Sequence, residues 1–315
     1  MSPPVAGGST TGERRSAVPE REDGAPVGGE AVEISTRTLV HGMVREDATV
    51  DAGELYAVAN ALGMSDQQVR LCVKRLVGEG SFSQEGRGRK ALLRVTADAW
   101  LSFTPAVEFV RHAFRQDRGL APWDGSWHLV AFAVPESARA ARDSLRETIL
   151  RLGGAPLQGG LYVSANAWED LVEARARQLD VADGVTYVVS PHLRVGGESD
   201  PHALAASLWP LEEIAERHRR LVAVSRARLA RLQGPGDLSR TERLTIEIEL
   251  ASEFTRAMDP DPLLPAELLP RPWPGAEARD VLARCWSHLL RRDDDASPTL
   301  LFRLYADVVR EVVLP

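Results

Sequence analysis

The chain contains little cysteine and no long hydrophobic segment. Its 315 residues include two cysteines, Cys72 and Cys285, which are too far apart for a C-x-x-C metal or redox motif. No stretch approaches the roughly 18 uninterrupted apolar residues of a membrane-spanning helix, and the N-terminal region lacks the apolar core of a signal peptide. We therefore expect a cytoplasmic protein with no membrane segment, no disulfide and no cysteine-based zinc site.

The chain also has no excess of positive charge. It carries 38 basic and 45 acidic residues, a net charge of −7, so a nucleic-acid-binding function requires a local basic patch. Lysine is nearly absent, because Lys74 and Lys90 are the only two. Since arginine is the default cation of this chain, an arginine cluster by itself is weak evidence for phosphate binding.

Signatures of catalysis are missing as well. The sequence has no P-loop, no G-x-S-x-G elbow, no H-E-x-x-H motif and no dinucleotide-binding glycine pattern. Three histidines, His192, His202 and His218, are too scattered to indicate a metal site. We therefore predict that the protein is not an enzyme and needs no cofactor.

Changes in composition and periodicity predict a multidomain α+β protein. Residues 1–33, rich in glycine, proline and charge, predict a flexible tail. The other predicted units are a winged helix-turn-helix DNA-binding domain (34–100), a helical connector (101–123), a ferredoxin-like β-α-β-β-α-β domain (124–199) and a helical dimerisation or effector domain (200–315).

Two capping patterns support the helix-turn-helix. Asp51 with Glu54, and Ser65 with Gln68, each place a capping residue three positions before an acidic or amide residue at the start of an amphipathic segment. A short turn containing Gly63 separates the two predicted helices. Residues 81–84 and 91–95 flank a turn rich in glycine and arginine and predict a β-hairpin, which would be the wing.

The charge of the chain reverses locally over this region. Between Gln67 and Arg94 there are seven basic and two acidic residues. We predict that the second helix and the wing contact DNA through Gln67, Gln68, Arg70, Lys74, Arg75, Arg87, Arg89 and Lys90. The alternative is a solvated helix face beside a charged turn.

A second basic run lies in the helical region near the C-terminus. At 100° per residue, one side of a helix there carries Arg217, Arg220, Arg228 and Arg231. These residues predict either a phosphate anchor for an effector or a solvated face bordering a core stripe, and the arginine bias favours the second interpretation.

The central region leaves one enzymatic alternative open. Predicted strands at 127–134, 156–158, 161–163 and 185–189 alternate with helices at 138–152 and 167–178. A metal-dependent nuclease built on this domain would need carboxylates at the end of a strand to hold the cation. The first strand ends at Pro135 without an aspartate, which argues against this alternative.

Several segments, taken in order, resemble one protein family. They are residues 65–80 (SDQQVRLCVKRLVGEG), 121–130 (APWDGSWHLV), 152–163 (LGGAPLQGGLYV), 208–211 (LWPL) and 264–275 (LPAELLPRPWPG). With them the chain resembles the PaaX-like family, bacterial regulators that include repressors of phenylacetic-acid degradation.

The resemblance implies an N-terminal winged helix and a central domain similar to the CRISPR adaptation endonuclease. It also implies a helical C-terminal domain that contributes to a homodimer. The expected partners are a double-stranded DNA operator and a small effector, such as an aryl-CoA thioester, that releases a repressor from DNA.

Overall fold

The computed structural model describes residues 31–97, 100 and 105–291, together with positions 299, 305, 308, 310 and 311. Residues 1–30 of the predicted tail lie outside the described residues. The last three residues of that prediction, 31–33, lie against the C-terminal helices, because Arg220 donates a hydrogen bond to the carbonyl of Ala31 (3.0 Å) and Arg256 donates one to the carbonyl of Glu33 (2.7 Å). Among the described residues, no helix combines the length and apolar character needed to cross a bilayer.

Among the described residues, the N-terminal unit has three helices ahead of its last strand and a three-stranded antiparallel sheet in the order β1-β3-β2. The elements are α1 (Thr36–Gly42), β1 (Thr49–Asp51), α2 (Ala52–Ala61), α3 (Asp66–Gly78), β2 (Phe82–Glu85) and β3 (Leu92–Val95), with a 3-10 turn at Gly88–Lys90. The predicted hairpin is confirmed by β2 and β3. The short strand β1, which was not predicted, pairs with β3 and completes the sheet.

Capping residues fix where these helices begin. The side chains of Ser35, Asp51 and Ser65 accept hydrogen bonds from backbone N–H groups in the first turns of α1, α2 and α3. At α3 the reciprocal bond is also present, so Ser65 and Gln68 form the predicted capping box. At α2 it is absent, because the Glu54 side chain turns away to bind Arg45 and Arg240.

The central unit is the predicted β-α-β-β-α-β arrangement, preceded by the connector helix α4 (Pro105–Asp117). Its elements are β4 (Trp127–Phe132), α5 (Arg139–Arg151), β5 (Ala155–Gln158), β6 (Leu161–Ser164), α6 (Glu169–Gln178) and β7 (Val185–Ser190). The strand order β5-β6-β4-β7, with every neighbouring pair antiparallel, is that of a ferredoxin-like sheet.

The C-terminal region is helical, as predicted. It comprises α7 (Pro201–Leu208), α8 (Leu211–Gln233), α9 (Arg240–Met258) and α10 (Pro274–Arg291), with a 3-10 turn at Ala266–Leu268. The predicted breaks at 234–236 and 260–274 separate α8, α9 and α10, whereas the break predicted near 293–298 lies outside the described residues. A long core between α8, α9 and α10 contains Phe254 and Trp286.

Helix α9 belongs to two hydrophobic cores. Ile246 and Leu250 pack in the C-terminal core, while Leu244 and Ile248 complete the core of the N-terminal unit. The N-terminal unit is therefore not closed by residues 34–100 alone.

Candidate nucleic-acid interface

Helix α3 presents one face to the core and the opposite face to solvent. Val69, Val73 and Leu76 are buried. The exposed side carries Gln67, Arg70, Leu71 and Lys74, which a period of 3.6 residues places in one stripe. Leu71 is 60% exposed, which is unusual for a large apolar side chain. A stripe of amide, cationic and apolar groups matches the donors, acceptors and thymine methyl groups of a major groove.

Arg75 is also exposed, one turn after Leu71 and near the end of α3. Gln68 is exposed too, but its side-chain oxygen already accepts hydrogen bonds from the Ser65 backbone (2.8 Å) and hydroxyl (2.9 Å). Five positions on this helix were predicted to contact DNA. One of them, Gln68, therefore has a structural role as well, because its side chain caps the start of α3.

The turn between β2 and β3 lies beside the start of α3. Arg89 forms an ion pair with Asp66 (3.2 Å) and lies over the ring of Tyr56, 5.6 Å from its centroid. This places the predicted wing next to the exposed stripe. Arg87 and Lys90 flank Arg89 on the same turn and are exposed.

Five cations of this surface have no acidic partner among the described residues. Within the described part of the chain, no carboxylate lies within 4.0 Å of the charged groups of Arg70, Lys74, Arg75, Arg87 and Lys90. We call these five residues the basic face. Because their charges are not compensated locally, the basic face keeps a positive potential in a chain of net charge −7.

The arginines of α8 differ in this respect, since each is paired. The pairs join Arg217 to Glu213, Arg220 to Glu253, Arg228 to Glu249 and Arg231 to Glu242, with N–O distances of 2.7, 3.0, 2.6 and 2.8 Å. Three of the four acids belong to α9, so these pairs connect two helices. The contacts favour the structural interpretation, and an effector anchored by these arginines stays a prediction.

Ion pairs that the sequence did not indicate connect the N-terminal helices to their surroundings. Arg37 of α1 binds Glu79, the C-cap residue of α3 (2.9 Å), and this hydrogen bond raises the pKa of Arg37. Burial works to raise the pKa of Glu54, but hydrogen bonds from Arg240 and Arg45 bring it below its ordinary value of 4.5. The partners of Arg37 and Glu54 lie outside the capping motifs of the helices that carry these two residues. Local sequence patterns therefore do not indicate these ion pairs.

Buried polar groups link segments of the C-terminal unit to one another and to the connector helix α4. His218 Nε2 lies 2.7 Å from Asp261, and Arg279 forms two hydrogen bonds with Asp117 at 2.6 and 2.7 Å. Burial opposes the charge on Arg279, yet the hydrogen bond and charge of Asp117 raise its pKa overall. In the central unit, His128 lies between Glu169 (2.6 Å) and Asp124 (3.3 Å). The His128–Glu169 contact joins β4 to the start of α6, and the Arg279–Asp117 contact joins α10 to α4.

The central unit offers no arrangement suited to a metal-dependent nuclease. Over the described ranges, no group of three or more His, Cys, Asp or Glu side chains is arranged to hold a metal ion. The first strand of the central sheet ends at Phe132, and the following residues lead into the 3-10 turn Glu136–Ala138. No observation in the described residues favours phosphodiester cleavage.

Comparisons with known proteins cover most of the chain. The family model "PaaX protein central Cas2-like domain" matches residues 120–204, and "PaaX-like protein C-terminal domain" matches residues 209–296. A curated relative, the transcriptional repressor PaaX of Escherichia coli strain K12, is 24% identical over 257 residues, which are 80% of this chain and 79% of the relative. A solved structure of an uncharacterized protein from Mycobacterium tuberculosis is 23% identical, with a TM-score of 0.46, and the match covers 82% of this chain and 94% of that one.

Proposed function

Because the chain belongs to the PaaX-like family, we propose that it is a transcriptional repressor that binds double-stranded DNA through its N-terminal unit. The curated relative supports the regulatory role, and residues 31–97, which precede both matched family ranges, supply the DNA-binding surface in this proposal. The observation that carries the proposal is the basic face, whose five cations lack acidic partners among the described residues.

In this proposal the N-terminal unit is a winged helix-turn-helix. Helix α3 lies in the major groove, where Arg70 and Lys74 meet base edges, Gln67 adds an amide and Leu71 contacts thymine methyl groups. Gln68 and Arg75 lie at the two ends of this contact. Such an assignment is supported by the order of the helices and strands, by the capped start of α3 and by the exposed polar stripe.

The turn at Gly88–Lys90 has a separate role. Arg87 and Lys90 bind phosphates, while Arg89 holds the turn against α3 through Asp66 and Tyr56. Phosphate contacts fix the register of the protein on DNA and add affinity for any sequence.

A homodimer is part of the proposal. One winged helix buries a small area, and two of them linked in a dimer make the second contact intramolecular and raise affinity. Release from DNA would follow when an effector shifts the equilibrium toward an arrangement of the two α3 helices that cannot enter successive grooves. The effector implied by the family resemblance, an aryl-CoA thioester, stays a prediction.

The test is selection of fragments from the genome that encodes the protein, followed by binding of the purified chain to the selected sites. We expect selective binding to a site with two related halves, and sedimentation of the complex with two protein chains per site. A chain that retains no fragment above background, under low-salt conditions that favour DNA binding, would disprove the proposal.

A further inference from the structure

A cleft runs between the N-terminal unit and helix α9. Two adjoining cavities of about 290 and 590 Å³ share Ser35 and Thr38 from α1 and its cap with Ser252 and Thr255 from α9. We call this the α1–α9 cleft. Its combined size lies within the range of small-molecule sites, and it separates the DNA-binding unit from the C-terminal helices.

One buried polar group in the cleft is suited to a ligand. Ser252 is 8% exposed, and its hydroxyl has no hydrogen-bond partner among the described residues. Because Ser252 lines both cavities, its hydroxyl is placed to form a hydrogen bond with a polar atom of a bound molecule.

We call the cavity of about 290 Å³ the inner cavity and that of about 590 Å³ the outer cavity. The surface of the inner cavity is mainly apolar, with one cation at its edge. Gly42, Ile248 and Ala251 line it, and burial lowers the pKa of the neighbouring His41. Arg37 lies at the rim, where it binds Glu79 in an exposed ion pair. Exposed pairs of this kind contribute little free energy, so another carboxylate can replace Glu79 at small cost.

The outer cavity has no net preference for an anion. Arg217 and Arg256 line it together with Glu33 and Asp259, so its charges balance. Anion selectivity therefore depends on Arg37.

We propose that the α1–α9 cleft binds a small organic carboxylate, with its apolar body against Ile248 and Ala251, its carboxylate on Arg37 and a polar atom at Ser252. The inference rests on the proposed function, because it adds a site through which a ligand other than the predicted thioester would regulate DNA binding. A carboxylate that takes Arg37 leaves Glu79 unpaired at the C-terminus of α3, where the helix dipole disfavours negative charge. Binding thus removes the contact that joins α1 to the end of the helix proposed to read DNA.

The experiment is calorimetric titration of the full chain with benzoate and hexanoate, using methyl benzoate as the uncharged control probe. We expect both acids to bind and the ester not to bind. Arg37→Gln should weaken binding of the acids roughly tenfold or more, because it removes a charge-assisted hydrogen bond. The matched variant Glu79→Gln breaks the same ion pair but keeps the cation, so it should bind at least as tightly as the wild type.

Two further variants locate the site. Ala251→Leu should abolish binding by filling the inner cavity. Arg151→Gln, which breaks an exposed ion pair with Glu147 in the central unit, should leave binding unchanged. The proposal fails if neither acid binds the wild type, if Arg37→Gln binds normally, or if Arg151→Gln abolishes binding.

DNA binding of the same proteins without any acid separates the two proposals. A chain that binds acids but no DNA overturns the proposed function and leaves the site intact. A chain that binds its selected DNA but no acid overturns the site alone. If both hold, we expect benzoate or hexanoate to reduce DNA affinity in the wild type and not in Arg37→Gln.

Discussion

Glu54 near the start of α2 and Arg240 at the start of α9 form an ion pair across 186 positions of sequence. Arg45 binds the same carboxylate at 2.8 Å, so one acid bridges two cations at the boundary between the N-terminal and C-terminal units. Only 25% of the Glu54 side chain is exposed, which shields the pairs from solvent. Together with Leu244 and Ile248, this contact holds the proposed DNA-binding unit on α9.

Replacing Glu54 by Gln should destabilise the protein by about 1–2 kcal/mol, because Arg45 and Arg240, both partly buried, lose their ion pairs with this carboxylate. Urea unfolding measures the difference. The matched control is Glu147→Gln, which breaks an exposed pair with Arg151 and should change the free energy of unfolding by less than about 0.5 kcal/mol. Equal effects of the two substitutions would show that the Glu54 pairs add no special stability.

The contribution of Glu54 should depend on pH. Its pKa is lower in the folded chain than the ordinary value of 4.5, so the stabilisation is fully present above that value and disappears as pH falls through the lowered folded pKa. The difference in unfolding free energy between wild type and Glu54→Gln should therefore shrink as the pH is lowered from about 6 toward about 3. A difference that stays constant over this interval would contradict the assignment.

Arg70→Ala and Lys74→Ala should weaken binding to the selected DNA site and relax its base preference. Each good contact with a base edge contributes about 1–3 kcal/mol of discrimination. Fluorescence anisotropy with the selected site and with single-base variants measures both effects. Arg151→Ala, an exposed arginine of the central unit, is the control and should bind as the wild type does. Unchanged binding by both α3 variants would remove them from the readout.

Neutralising Arg87 and Lys90 should act on all sequences alike. We expect affinity to fall for selected and unrelated DNA, and the slope of log K against log salt to flatten by about 0.9 for each phosphate that the variant no longer binds. The slope is obtained by repeating the titrations at several salt concentrations. A weakening confined to the selected site would mean that the wing reads bases.

Gly153→Ala should destabilise the junction between the central and C-terminal units by at least about 1 kcal/mol. Gly153 has a φ of +83°, and a Cβ there would lie 2.6 Å from the carbonyl oxygen of Pro262. The control is Gly159→Ala, where φ is ordinary and nothing lies within 4 Å of the new Cβ. The melting temperatures of the two variants are measured by thermal unfolding. Equal melting temperatures would contradict the prediction.

Local signals in the sequence predicted the central unit well. The ends of its strands and helices differ from those predicted by at most two residues, because glycine or proline marks all of its turns except the one between β6 and α6. The capping box of Ser65 and Gln68 and the exposed face of α3 also follow from local patterns.

Long-range contacts could not be predicted in the same way. The strand β1 has only three residues and pairs with a strand more than forty positions later, so no local periodicity marks it. The pairing of the α8 arginines depends on acids of α9, which a helical projection of α8 alone does not show. The sequence of α9 did contain one signal of its shared packing. Leu244, Ile246, Ile248 and Leu250 place apolar side chains on opposite faces of α9, as expected of a helix that is buried on two sides.

The sharing of α9 between two cores has a consequence for how the chain is made. The hydrophobic core around α1 and α2 includes Leu244 and Ile248, which leave the ribosome about two hundred residues after α1. The core of the N-terminal unit is therefore completed only when the C-terminal helices have been synthesised, and its completion requires the closure of a very long loop. A polypeptide released early would expose the apolar surface that α9 normally covers, and quality-control proteases would recognise it as unfinished.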